Sequence, residues 1–499
     1  MNSKILLLFL SLLLGTNNFG QEINFDISPE DYQLFPRDLN NLASVIFSGS
    51  ISDETELKRL KLKVFKDDVL IDEKFLKIAD KKFKITSKIE AGLFQYRFEL
   101  YNYELNNEIL IYMADNIVCG DAYIITGQSN SHASNKKSTY SSPYARSFGV
   151  KTGYETYDDK DKETRWGLAT GNCKTCKGKG WEAGYDGGWF TKIPLGVGVW
   201  GMELARLLIE KHEIPVCIIN GGSGSSTIEE NMLYPEKISL ETSFGRLAYR
   251  VDQANLKNDI KAIFYHQGES DSHKQFSLSY LKNFDILNTD WKRVYQGIDK
   301  IYLFQIHPGC GGDYQSEIRE IQNEISKKYE YVEIMSTTGV VGHDGCHFSY
   351  EGYKEFASRI LPLVSRDFFD EKQNSVITPP QLLKSIYSKK REITLVFDQP
   401  IKVDDFLILN EIKHFIKNQF FFTTTDNPNL LEYQVKNLSV NKNKITLKLK
   451  NEEKYNSISW IPNKEYPNTN QIYNGPWIKG KDNEIGALTF SKRELVNDL

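Results

Sequence analysis

Between about residues 116 and 370 the chain repeats one pattern, a short apolar run followed by an amphipathic stretch, and that repetition restricts the fold more than any other feature. DAYIITG, IPVCIING, AIFYHQG, KIYLFQIH and YVEIMST read as buried strands. GVWGMELARLLIEKH, RVDQANLKNDIK, SLSYLKNFDILNTDWKRVYQ, YQSEIREIQNEISKKY and SYEGYKEFASRILPLVSRDFF read as helices. Strands that alternate with helices pair in parallel, because each helix returns the chain to the same edge and packs on a sheet face. The spacing predicts an α/β domain over 116–370, with functional groups gathered where strands end and loops begin.

The grammar changes on either side. Residues 21–115 carry LASVIFSGSI, LKRLKLKVFKDD, KKFKITSKI and LFQYRFELYNY, separated by Asp, Gly and Asn. Period-two alternation with such punctuation predicts antiparallel strands in an N-terminal β-sandwich domain. After Pro379 and Pro380 the pattern returns in REITLVFDQPI, FFFTTT, LEYQVKNLSV, NKITLKLK and SISWIPN, which predicts a second β-sandwich over 371–499. A chain of 499 residues has room for three such domains.

MNSKILLLFLSLLLGTNNFG has one Lys, an apolar run from Ile5 to Leu14, then small and polar residues. This is the outline of a signal peptide over 1–20, which would make the mature protein periplasmic or secreted. A retained N-terminal anchor is the competing reading, but the run is short of the roughly 20 residues a span needs, and no later stretch reaches that length. Lys and Arg (62) nearly balance Asp and Glu (66), and no block of one sign appears, so nucleic acid is not an expected partner.

Several strand ends carry polar residues suited to chemistry. Ser129 follows AYIITG directly, at the carboxyl edge of the first strand, and Gly127 permits unusual backbone angles in the turn. CIINGGSGSST ends a strand in closely spaced glycines, so main-chain N–H groups can approach a ligand. AIFYHQGESD ends another in Gln267, Glu269 and Asp271. GHDGCHFS follows the last strand and holds Asp344 three residues before His347. An Asp so placed can hold one ring nitrogen of the His and leave the other facing a serine.

The series GQSNS, GGSGSSTIEEN, YHQGESD and DGCHFSYEGY, in this order, resembles the SGNH hydrolases, and more narrowly the sialate O-acetylesterase and acetylxylan esterase group of carbohydrate esterases. The resemblance covers 116–370. It implies a flavodoxin-like three-layer α/β/α domain with a parallel sheet, flanked here by the two β-sandwiches. It also implies Ser129 as nucleophile, His347 as general base and Asp344 as the residue orienting it. The oxyanion would be held by the Ser129 N–H, by the N–H of Gly224 or Ser225, and by the Gln267 side chain, with Gln128, Asn130 and Glu269 in support. The group often has two adjacent glycines where this chain has Gly224 and Ser225, and Met where it has Ser131, a position expected to shape the pocket. The resemblance implies an acetylated carbohydrate as substrate and no cofactor or metal.

Other readings stand beside this one. A carbohydrate-binding or adhesion protein that has lost catalysis is the alternative, against which the presence of Ser129, Asp344 and His347 counts. Trp166, Trp181, Trp189 and Trp200 supply either stacking surfaces for sugars or core packing. Six cysteines are too few for a disulfide scaffold. Cys173 and Cys176 have the spacing of half a zinc turn without a second half, so a local disulfide or two thiols is expected. Cys346 is open to thiol chemistry or to pairing with Cys310.

Overall fold

One strand, β1 (Asn107–Gly127), runs for 21 residues and organises the molecule. The computed structural model describes residues 23–497 except 53–56, 79, 134, 136, 151–163, 173–194, 233–239, 241 and 390; the expected leader, Cys173, Cys176, Trp181 and Trp189 lie outside the described residues. The first half of β1 pairs antiparallel with Tyr96–Glu104, as in Tyr101 opposite Leu110. The second half, buried at every residue from Ile117 to Gly127, is the centre of a parallel sheet. The boundary expected between 115 and 116 thus falls inside a single strand.

The other strands of that sheet are β2 (Ala145–Val150), β3 (Thr164–Leu168), β4 (Val216–Asn220), β5 (Ile260–His266), β6 (Lys300–Gln305) and β7 (Val332–Ser336), in the order β3-β2-β4-β1-β5-β6-β7. Every pairing is parallel except β3 with β2. Ile124 sits opposite Ile219 on one side and Ile263 on the other. After β1 the chain builds β2, β3 and β4 on one flank and then crosses to β5 on the other, so the carboxyl ends of β1, β4 and β5 surround a switch point.

The helices between the strands are α1 (Ser129–His132), α2 (Gly198–His212), α3 (Ser243–Gln253), α4 (Lys274–Ser277), α5 (Tyr280–Val294), α6 (Gln315–Lys328) and α7 (Tyr350–Phe368). Tyr123 and Ile125 of β1 share a core with Trp200 of α2 and Phe356 of α7. Ala122 and Ile124 share another with Leu247 of α3, Trp291 of α5 and Ile318 of α6. A strand buried on both faces needs an unbroken apolar run, which AYIIT supplies.

Within 116–370 the sequence reading misplaced one helix and missed two strands. The helix expected over Arg250–Lys261 lies earlier, as α3. Thr242 caps it by accepting the Gly245 N–H at 3.0 Å, and Asn255, at φ 56°, turns the chain just beyond its end. β2 and β3 went unrecognised because ARSFGV and TRWGL are short and mix Arg and Gly among their apolar residues, which breaks the strand pattern.

The N-terminal region places Ile23–Ile27, Leu42–Ile51 and Lys82–Glu90 in one sheet, and its core also takes Leu60, Leu62 and Phe98 from the strands that run into β1. The C-terminal region has a sheet containing Glu392–Phe397 and another containing Phe420–Thr424, with one core between them. This region is fastened to the parallel sheet by buried polar contacts. The Arg319 guanidinium donates to Ile461 O at 2.6 Å and Thr489 Oγ1 at 2.9 Å, and Thr338 Oγ1 donates to Ala487 O at 2.7 Å. Among the described residues no helix is long and apolar enough to cross a membrane.

Arg37 joins the N-terminal region to β1 through two 2.8 Å hydrogen bonds to the buried Asp121 carboxylate, which otherwise has the Tyr123 hydroxyl at 3.5 Å and Lys261 at 3.6 Å. Arg37→Ala strands that carboxylate, and a loss of about 3 kcal/mol is expected, read as a lower urea midpoint at unchanged slope. A change below about 0.5 kcal/mol would show that Lys261 and the Tyr123 hydroxyl suffice.

Candidate active site

Gly127 ends β1 at φ 130°, and a Cβ there would lie 2.1 Å from His266 O, so the turn into Ser129 accepts only glycine. Ser129 begins α1 at the carboxyl edge of the sheet. The loop after β7 brings His347 to it, with Nε2 2.8 Å from Ser129 Oγ although 218 positions separate the two residues. Both are buried.

Asp344 shapes that loop by accepting the backbone N–H groups of Cys346 at 2.9 Å and His347 at 2.8 Å on one carboxylate oxygen. Burial pushes its carboxyl up, but these bonds and the charge of His347 outweigh it and hold the group below the usual range. Burial brings the His347 imidazole down to about 4, against the opposing pull of Asp344. A neutral imidazole with its Nε2 on a serine hydroxyl is the arrangement in which a proton can be taken from that hydroxyl.

Asn130 joins the two loops. Its side-chain amide donates to Glu269 Oε1 at 2.9 Å and to Cys346 O at 3.0 Å, while its Oδ1 accepts from Tyr353 of α7 at 2.7 Å. Trp200 Nε1 donates to the Asn130 carbonyl at 3.0 Å. Gln128 does the same for the loop after β5, its Oε1 accepting from the N–H groups of Gly268 at 3.2 Å and Ser270 at 3.3 Å. A disulfide between Cys310 and Cys346 ties the loop after β6 to the His347 loop, so Cys346 is not available as a thiol.

Gly224 and Ser225 form the turn after β4, with Ser225 at φ 58°. That turn is fixed by Ser223 N–H on Gly127 O at 2.9 Å and by Ser270 Oγ on Ser225 O at 2.9 Å. Two expectations need correction. Gln267 was expected to donate to an oxyanion, but its amide nitrogen donates to Asp271 Oδ2, Ser226 O and Gln128 Oε1, which consumes both hydrogens. Ser131 was expected to shape a pocket; it is wholly buried, donates to Gln128 O at 2.6 Å and would clash with a Cβ on Gly222. Of the two readings left open for the tryptophans, core packing holds for Trp166, which packs on Phe148, and for Trp200, so neither offers a stacking surface.

Sequence reasoning missed Tyr353 and Ser270 as site partners and, though it singled out Trp200, missed its bond to Asn130, since a lone Tyr, Ser or Trp carries no positional signal. The disulfide had one, two cysteines each in a glycine-containing loop that follows a strand.

Buried acids line the rear of the site. Burial raises Glu269 to about 7, against the backbone bond and the Asn130 bond that favour its charged form, and raises Asp271 to about 6. His266, with Nδ1 3.8 Å from Glu269 Oε1, is brought down to about 3 by burial.

Together, a parallel sheet and polar loops converging on a Ser–His contact at its switch point define an α/β enzyme domain. Residues 120–364 match the family described as carbohydrate esterase, sialic acid-specific acetylesterase (SASA). Residues 120–364 are thus a carbohydrate esterase domain of that description, and the protein is a carboxylic ester hydrolase. The crystal structure of a carbohydrate acetylesterase from Xanthomonas citri is similar in fold, with 13% identity, a TM-score of 0.61, and 94% of this chain and 99% of that one covered. A protein from Arabidopsis thaliana (18% identity, TM-score 0.38) and NanS (13%, 0.37) each align with 50% of this chain and 99% of their own. No curated protein sequence matches the chain.

The folded protein holds the Glu269 proton up to about pH 7, whereas an unfolded Glu releases it near about 4.3. The folded state therefore binds the extra proton between these values, and this group's contribution to stability is lost as pH rises through that window. Glu269→Gln is expected to remove that slope, measured as urea unfolding of both proteins from about pH 4 to about pH 8. Parallel curves for parent and variant would refute the assignment.

Proposed function

We propose that the protein is an exported serine esterase that removes O-acetyl groups from a carbohydrate, with Ser129 as nucleophile, His347 as general base and Asp344 as its orienting partner. The single observation that carries this reading is the 2.8 Å contact of His347 Nε2 with Ser129 Oγ at the switch point of the parallel sheet. The family match over 120–364 supports the ester chemistry and the acetylated glycan. The proposed framework is a flavodoxin-like three-layer α/β/α SGNH domain over 116–370, with β-sandwich domains over 21–115 and 371–499. The apolar run at Ile5–Leu14 supports export to the periplasm or beyond, with 1–20 removed.

The chemistry follows from the geometry. Ser129 Oγ attacks the acetyl carbonyl while His347 Nε2 takes the hydroxyl proton, a contribution of roughly 10² to 10⁴ in rate. Negative charge develops on the carbonyl oxygen and is met by the Ser129 N–H and the N–H of Gly224 or Ser225, each such donor supplying about 3 kcal/mol. Gln267 keeps these turns in register instead of donating. Collapse of the intermediate breaks the ester bond, and His347 returns its proton to the departing sugar oxygen. Water, deprotonated by His347, then releases acetate from Ser129.

Ser129→Ala is expected to lower p-nitrophenyl acetate hydrolysis by roughly 10⁴ or more with an unchanged melting temperature; near-parent activity would eliminate the mechanism. Only neutral His347 can act as base, and its pKa is depressed to about 4. Activity should therefore persist in mild acid and fall as pH drops through that value. A kcat/KM profile whose acid limb lies near about pH 6.5, the ordinary His value, would contradict this environment for the base.

A further inference from the structure

The C-terminal region reaches the site. Residues 464–477 fold back as a hairpin in which Glu465 bridges Ile472, the Tyr466 N–H donates to Gln471 O at 3.0 Å, and the Tyr473 N–H donates to Lys464 O at 2.8 Å. Tyr473 is wholly buried, and Tyr466 Oη donates to Gly475 O at 2.5 Å, so the hairpin is fixed from beneath. It meets three places in the loops after β6 and β7. Lys464 Nζ lies 3.3 Å from the Asp313 carboxylate, the Trp477 ring lies 5.5 Å from that of His307, and a Cβ built on Gly345 would lie 3.5 Å from Ile472 Cγ1. Gly345 is two residues from His347. Ile472 and Asn474, on either side of buried Tyr473, remain partly exposed.

Esterase chemistry says which half of the substrate lies on this side. The acyl carbon must sit between Ser129 Oγ and the oxyanion donors, whereas the departing oxygen must lie against His347 Nε2 to receive its proton. The alcohol half therefore extends over the His347 loop, where the hairpin stands. A rigid strip offering an aliphatic side chain and a carboxamide suits a sugar, whose C–H face packs on the first and whose hydroxyls pair with the second. From these contacts we infer that Ile472 and Asn474 form a sugar-contacting subsite that sets which acetylated glycan is accepted. The inference rests on the proposed reading of Ser129 and His347.

The test compares p-nitrophenyl acetate, whose leaving group has no hydroxyls for Asn474, with acetylated xylo-oligosaccharides and O-acetylated sialosides. In Asn474→Ala and Ile472→Ser, kcat/KM on the glycan the parent uses should fall roughly tenfold or more, mainly through KM, while p-nitrophenyl acetate hydrolysis stays within about twofold. Equal losses on both substrates, or none on either, would overturn the subsite. So would a parent that cleaves p-nitrophenyl acetate but no acetylated sugar. A parent that is no faster than Ser129→Ala on p-nitrophenyl acetate would instead defeat the reading of the site on which the subsite depends.

Discussion

Everything in the parallel sheet takes its register from β1. Its second half is hydrogen-bonded on both sides, to β4 and to β5, and is covered on both faces by helices. A strand so enclosed has no freedom to slip, because a one-residue shift would turn its side chains to the opposite core. The turn at Gly127 therefore stands at a fixed height above the sheet, and so does Ser129. The loops that meet it leave from the ends of β4, β5 and β7, which sit at the same edge.

Positioning within that frame is done by buried amides. Asn130 and Gln128 each spend their side chains on neighbouring loops, and Gln267 spends its own on Asp271, Ser226 and Gln128. Unpaired buried polar groups are costly, so each of these bonds holds its loop against displacement. The same exclusion of water has opposite effects on neighbouring groups. It keeps the His347 imidazole neutral and it keeps a proton on the Glu269 carboxyl near neutrality.

Much of this was legible in the sequence. The alternation of apolar runs and amphipathic stretches over 116–370 gave the mixed α/β character, and GVWGMELARLLIEKH matches α2 residue for residue. Ser129 was readable because a strand and a glycine turn sit beside it. Its contact with His347 was readable only through the pattern of blocks, since periodicity says nothing about residues 218 positions apart. The rest was hidden for physical reasons. Whether Gln267 donates to a ligand or to Asp271 depends on a side-chain torsion that residue type does not encode. The hairpin at 464–477 reaches the His347 loop because Arg319 and Thr338 fasten the C-terminal region to the sheet, and no local signal announces such a contact.

The long strand also fixes an order of events during synthesis. When β1 leaves the ribosome its antiparallel partner, Tyr96–Glu104, has already been made, so the first half has a neighbour at once. Its apolar second half has only Leu34–Pro36 beside Val118–Gly120, and from Asp121 onward it waits for Val216–Asn220 and Ile260–His266. Pairings of such wide sequence separation form slowly, and an unpaired apolar strand invites association with other chains. The segment that frames the finished enzyme is thus its greatest liability while the chain is still growing.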